Sequence, residues 1–158
     1  MYLGCDPGKK GSLAVIDQER FIIHHDPTPM LKLKKPDYDI VEMKLLLQTY
    51  QEYGVIDLCI LEKAQAMPRQ GVTSMFSIGK GYGIWLGLLT SLGIPFIEVH
   101  PRVWTRKLFI GVGGEGKDRN YNAARRLYPE WHPGYKYERE YADSLLLAEY
   151  GRLLWGKK

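Results

Sequence analysis

The sequence has 158 residues, 45% hydrophobic and 25% charged, as in an ordinary globular chain of about one domain. No run approaches the ~18 apolar residues of a membrane-spanning helix, and no basic leader precedes the apolar start, so a membrane or secreted protein is not expected. The net charge of +4 is uneven: residues 1–100 sum to −1 and residues 101–158 to +5, so the second half suits a phosphate-rich partner.

Tyr2 to Cys5 is short and apolar and ends at the turn signal Asp6-Pro7-Gly8. Residues 11–17 and 20–24 read as two more strands across the polar pair Gln18-Glu19, which makes an antiparallel meander. Residues 26–36 read as loop, broken by Pro27, Pro29 and Pro36. Asp37 is expected to cap a helix over 39–53, where Ile40, Met43, Leu46, Leu47 and Tyr50 keep helical spacing and Gly54 ends the run. A buried strand over 57–62 follows, then a polar loop, a long helix over 72–92 and a last strand over 94–99. His100-Pro101 opens a short helix to about 109. A glycine-rich loop over 111–116, a helix over 118–127, a loop and a closing helix over 138–154 complete the chain.

No repeat or linker interrupts this order, so residues 1–158 are expected to form a single domain. A meander followed by alternating helices and strands implies an α/β fold. Its five-stranded mixed sheet joins the antiparallel meander to two parallel strands, with helices on both faces. Cys5 and Cys59 sit in apolar strands and read as buried free thiols, the usage of a reducing cytoplasm.

Three acids stand where apolar segments end or where a helix is ready to be buried. Asp6 ends the first strand, Glu62 ends Leu58-Cys59-Ile60-Leu61, and Asp143 lies within Tyr141-Ala142-Asp143-Ser144-Leu145-Leu146. Glu140 precedes Asp143 by three residues and shares its helix face. Carboxylates gathered in such surroundings repel one another unless a cation neutralises them. A hard divalent metal with oxygen ligands does so. Two such metals can activate a water, hold a scissile phosphate and stabilise the leaving oxygen. Asp6 or Glu62 alone reads equally as a loop cap or a salt-bridge partner, and Glu140 alone as a solvated helix residue; it is the set that points to metal-assisted phosphodiester hydrolysis.

Leu3-Gly4-Cys5-Asp6-Pro7-Gly8, then Leu61-Glu62, then Glu140-Tyr141-Ala142-Asp143 together resemble the RuvC family of Holliday junction resolvases, especially its short phage-type members. The resemblance implies the ribonuclease H-like fold and a homodimer that cuts four-way DNA junctions symmetrically. It also implies that Asp6, Glu62, Glu140 and Asp143 bind two magnesium ions, with manganese as a substitute, in a bacterial or phage-infected cytoplasm. Two departures are evident. Many bacterial members carry Asp-x-x-Asp where this chain has Glu140-x-x-Asp143, and Ser144-Leu145 stand where a histidine often follows.

The loop after Glu62 offers Arg69, Gln70 and Thr73 to phosphates and Met67 as a wedge between bases. Arg102, Arg106, Lys107, Lys117 and Arg119 supply positive charge for a DNA backbone. Trp85, Trp104 and Trp131 read as packing residues, and the four histidines as structural or surface groups, with His100 just past a strand end. Gly79, Gly83 and Gly87 recur every four residues in the long helix, a costly repeat that implies a close helix approach, within the chain or between two copies.

Two other function classes compete with a nuclease. One is a module that binds branched DNA without cutting it. The other is a nucleotide-binding protein. Gly111 to Lys117 matches the phosphate-loop pattern, but Asp118 replaces the Ser or Thr that ligates magnesium. An actin-like ATPase needs two such lobes and the chain is too short, so no nucleotide cofactor and no membrane partner are expected.

Overall fold

Strand alternation sets the architecture. In β1 (Tyr2–Cys5), β2 (Ser12–Ile16) and β6 (Leu58–Glu62), successive side chains enter opposite cores. Tyr2, Ala14, Ile16, Leu58 and Ile60 join one core. Leu3, Cys5, Leu13, Val15, Cys59 and Leu61 join the other. Strands this apolar on both faces belong at the centre of a covered sheet.

The computed structural model describes residues 1–65, 71–132 and 138–156. The remaining elements are β3 (Ile22–Pro27), β4 (Met30–Leu31), β5 (Asp37–Tyr38), α1 (Ile40–Tyr53), α2 (Val72–Ser91), β7 (Phe96–Val99), α3 (Pro101–Leu108), α4 (Gly116–Leu127) and α5 (Glu138–Trp155). The main sheet has the order β3-β2-β1-β6-β7. Its first three strands are antiparallel, and β6 and β7 run parallel to β1. Residues of α1 and α2 (Met43, Leu47, Tyr50, Trp85, Leu89) fill one core. Residues of α3, α4 and α5 (Trp104, Leu108, Ala124, Leu145, Leu146) fill the other. Truncating a fully buried leucine such as Leu145 to alanine costs about 2–5 kcal/mol in such a core. Among the described residues no helix is long and apolar enough to cross a membrane.

The expected five-stranded mixed sheet with helices on both faces is present, with two corrections. Residues 26–36 are not all loop: β4 and β5 pair as a separate antiparallel hairpin, Met30 with Tyr38 and Leu31 with Asp37. The expected fourth and fifth strands of the sheet are therefore β6 and β7. Asp37 lies in that hairpin, and the cap of α1 is Asp39, whose carboxylate accepts from Glu42 N at 3.1 Å. Gly81, off the stripe of the other α2 glycines, is buried under Tyr38. An added Cβ there would stand 2.2 Å from the Tyr38 hydroxyl.

Candidate active site

The parallel register pairs Cys5 with Leu61, so the residues that follow, Asp6 and Glu62, emerge together at the carboxyl edge of the sheet. Open α/β sheets bind ligands at that edge. Helix α5 crosses β1 at Gly4, where an added Cβ would stand 1.9 Å from the Ser144 carbonyl oxygen and 2.4 Å from Ala148 N. The glycine of the Gly4-Cys5-Asp6 motif is thus what admits the helix that carries Asp143. Gly11 closes the turn after Asp6 just as tightly, since a Cβ there would lie 2.2 Å from the Asp6 carbonyl oxygen. Gly8 N donates to Asp6 Oδ1 at 3.2 Å.

The four acids feel one another. Burial first, then the charges of Asp143 and Glu140, push the Asp6 carboxyl up to about 6, against the pull of Lys117 and the Gly8 amide. Burial, then Asp6 and Asp143, push Glu62 up to about 7, although the Trp104 indole and Lys117 act the other way. Trp104 Nε1 donates to Glu62 Oε2 at 2.9 Å. Asp143 is buried and receives Lys117 Nζ at 2.5 Å as well as the Asn120 amide. Burial pulls Lys117 down, but Asp143, Asp6 and Glu62 outweigh it and hold the ammonium above its ordinary value. Lys10 Nζ stands 4.0 Å from Glu140 Oε1, while Glu140 Oε2 is buried with no hydrogen-bond partner among the described residues.

This donor chemistry fits a hard divalent cation: buried carboxylates in mutual repulsion, one with an orphaned oxygen. Among the described residues no three acidic, histidine or cysteine side chains converge closely enough to enclose an ion. Among the described residues, the Lys117 ammonium lies within the cluster and Lys10 stands at its edge beside Glu140.

Other expected residues fall in different places. Arg69, Gln70 and Met67 lie outside the described residues, and Thr73 is exposed on the first turn of α2. Arg102, Arg106 and Arg119 line an open depression beside Phe109. Lys107 lies over the Tyr150 ring at 5.2 Å. Arg119 donates to the carbonyls of Val112 and Phe109 at 3.1 and 3.3 Å, which braces the glycine-rich loop. That loop follows α3 rather than a strand, and its lysine is turned to Asp143, so it lacks the strand–loop–helix setting of a phosphate loop.

Several partners had no signal in the sequence. Trp104 is a core residue, as read, but it also holds Glu62. Asn120 is 23 residues from Asp143, and nothing local marks the pair. His25 is half-buried behind α5: its Nε2 lies 3.0 Å from both the Tyr141 carbonyl and Ser144 Oγ, and its Nδ1 accepts from Trp131 Nε1 at 3.0 Å. An indole only donates, so the ring proton sits on Nε2. Burial pushes His25 down to about 4, against the Tyr141 carbonyl and Asp26, so it is neutral at physiological pH. Both cysteines are buried free thiols, as expected.

No protein-family model matches the chain. Over 90 residues it is 31% identical to the chloroplastic Holliday junction resolvase MOC1 of Chlamydomonas reinhardtii. That stretch is 56% of this chain and 10% of the relative, so the chain spans about a tenth of the curated protein it matches. The structure is similar to Thermus thermophilus RuvC in complex with a Holliday junction substrate, with a TM-score of 0.70 and 16% identity over 94% of this chain and 89% of that one. A second Thermus thermophilus RuvC structure aligns with a TM-score of 0.63 and 14% identity over 94% of this chain and 90% of its own. The chain therefore shares the fold of Thermus thermophilus RuvC.

Proposed function

We propose that this chain is a structure-selective DNA endonuclease that cuts four-way or other branched DNA as a homodimer, by two-metal-ion hydrolysis with magnesium. The observation that carries the reading is the gathering of Asp6, Glu62, Glu140 and Asp143 at one sheet edge of a RuvC fold. Branched DNA as substrate is supported by the junction bound to Thermus thermophilus RuvC and by the resolvase name of the algal relative.

Bound divalent cations would lower the pKa of the attacking water and stabilise the leaving oxygen. Asp6, Glu62, Glu140 and Asp143 would hold them. Trp104 fixes one oxygen of Glu62, and Asn120 orients Asp143. Lys117, released from Asp143, can offer its ammonium to the phosphate oxygens.

The homodimer is supported by α2. Among the described residues, Gly79, Gly83 and Gly87 have no atom within 4 Å of an added Cβ, so the packing of those residues leaves their stripe open. Phe76, 74% exposed, continues the stripe one turn earlier.

The test is cleavage of a strand-labelled synthetic four-way junction in magnesium. Paired symmetric nicks are expected, lost in Asp6→Asn and in excess chelator. An inert parent protein, or nicking that survives Asp6→Asn, sinks the reading. Tight junction binding without cleavage in magnesium or manganese would favour a non-cleaving binding module.

A further inference from the structure

The β4–β5 hairpin has a tip of one composition: Lys32-Leu33-Lys34-Lys35-Pro36, every residue exposed. None of the three lysines has an ion-pair partner among the described residues. The hairpin's single acid, Asp37, is already taken, by Lys80 Nζ at 2.5 Å and by the Tyr38 amide. Two more lysines join the tip from the loop after Asp6. Lys9 Nζ donates to the Pro36 carbonyl at 2.7 Å and lies over the Tyr38 ring, and Lys10 reaches toward Glu140. An open groove of about 550 Å³, lined by Lys9, Lys10, Lys32, Met30, Glu140 and Tyr141, runs from the hairpin to Glu140.

This hairpin is fixed in place. Tyr38 is 3% exposed, wedged over Gly81, with its hydroxyl donating toward the carbonyls of Pro7 and Ser77 at 3.4 Å. Thr28 N donates to Gly11 O at 2.9 Å, and Asp39 N to Pro29 O at 3.1 Å. The anchors are the loop that carries Asp6 and the helix α2. Tyr38 and Met30 belong to the core on the α1–α2 side of the sheet, whereas α3 and α4, with Arg102, Arg106 and Lys117, cover the other side. Basic residues thus stand on both sides of the sheet, and the hairpin is the side that no pattern in the chain marks.

We propose that Lys32, Lys34 and Lys35, with Lys9 and Lys10, form a phosphate-gripping rail for a duplex arm of the DNA substrate on the α1–α2 side of the active site. The proposal rests on the nuclease reading. Three tip ammonium groups with no ion-pair partner among the described residues, beside a groove that reaches Glu140, one of the proposed metal ligands, match a polyanion whose scissile phosphate must reach those ligands. Each phosphate neutralised releases condensed counterions, so each lysine in contact adds about 0.9 to the slope of log affinity against log salt.

The test uses the full chain with Lys32→Gln, Lys34→Gln and Lys35→Gln combined, on exposed positions, with a thermal melt to check the fold. Binding of a labelled four-way junction is followed by anisotropy in calcium between about 50 and about 200 mM salt, and single-turnover cleavage is timed at saturating protein in magnesium. The rail predicts affinity weakened about 10- to 100-fold, a salt slope shallower by about two to three, and an unchanged saturating cleavage rate. A triple variant with the parent's affinity and slope overturns the rail and leaves the nuclease reading standing. A saturating rate that falls in step with affinity overturns it too, because the lysines would then act on the chemical step. A parent that binds no DNA removes the nuclease reading and the rail together.

Discussion

Asp6 and Glu62 are carboxyls that folding makes harder to ionise. Their folded pKa values, about 6 and about 7, lie above the ordinary carboxylate range. A raised acid pKa means that the folded state binds more protons than the unfolded one between about pH 4 and pH 7, so metal-free stability falls as pH rises through that window. Asp6→Asn keeps an oxygen for the Gly8 amide and removes the buried charge. At about pH 8 the metal-free variant should unfold at a higher temperature than the parent, by on the order of 1–3 kcal/mol, and the gap should narrow as pH falls through 6 toward 4. A variant no more stable than the parent at about pH 8 would contradict the burial of that charge. Magnesium should reverse the order, because a ligand that binds only the folded parent adds stability by mass action. At subsaturating magnesium, cleavage should rise with pH through about 7, and added metal should move that midpoint lower, since protons and metal compete for the same oxygens; a midpoint indifferent to metal concentration would count against shared ligands. The four acids were legible because each sits beside an apolar run that must be buried. The ammonium that faces them was not: Lys117 reads as a cation for a DNA backbone, and only the packing of α4 against α5 brings it to Asp143.

Helix α2 carries two kinds of glycine, and sequence spacing alone could not tell them apart. Gly81 faces inward, where a methyl group must displace the Tyr38 ring, while Gly83 faces outward with nothing within 4 Å. Gly81→Ala should therefore lower the melting temperature by the equivalent of about 1–3 kcal/mol, the usual cost of overpacking. Gly83→Ala should leave the isolated protomer as stable or better by up to about 1 kcal/mol, from helix propensity, while weakening the association of two protomers in sedimentation runs over a concentration series. An unperturbed melt for Gly81→Ala would remove the wedge that fixes the hairpin, and an unperturbed association for Gly83→Ala would move the dimer contact elsewhere. The hairpin itself escaped the reading because its strands are two residues each, too short for alternation to register, and three prolines mark the segment as broken. The cap of α1 lies two residues beyond the expected Asp37 for a similar reason: Asp37 and Asp39 are the same residue type, and only the chain path decides which carboxylate meets the Glu42 amide.

Taken whole, the molecule offers one carboxylate cluster per chain, with basic residues on both sides of the sheet and the α2 stripe on the face that neither core uses. A four-way junction has two strands to cut, so one chain with one site can make only one nick per encounter, and paired symmetric cuts require two sites held in a fixed relation. In the proposed homodimer, two copies meeting through α2 would supply that relation by two-fold symmetry. Subunit mixing tests this directly. Equal amounts of parent and Asp6→Asn, mixed under conditions that let protomers exchange, should give about half of all dimers with one active site, by random pairing in a two-fold assembly. On a supercoiled cruciform plasmid those dimers should release nicked circles, while parent dimers give linear product, so the mixture should move product from linear to nicked beyond simple dilution of the parent. If the mixture behaves as diluted parent, with the ratio of linear to nicked product unchanged although exchange is verified, each chain cuts independently and the α2 stripe has another role.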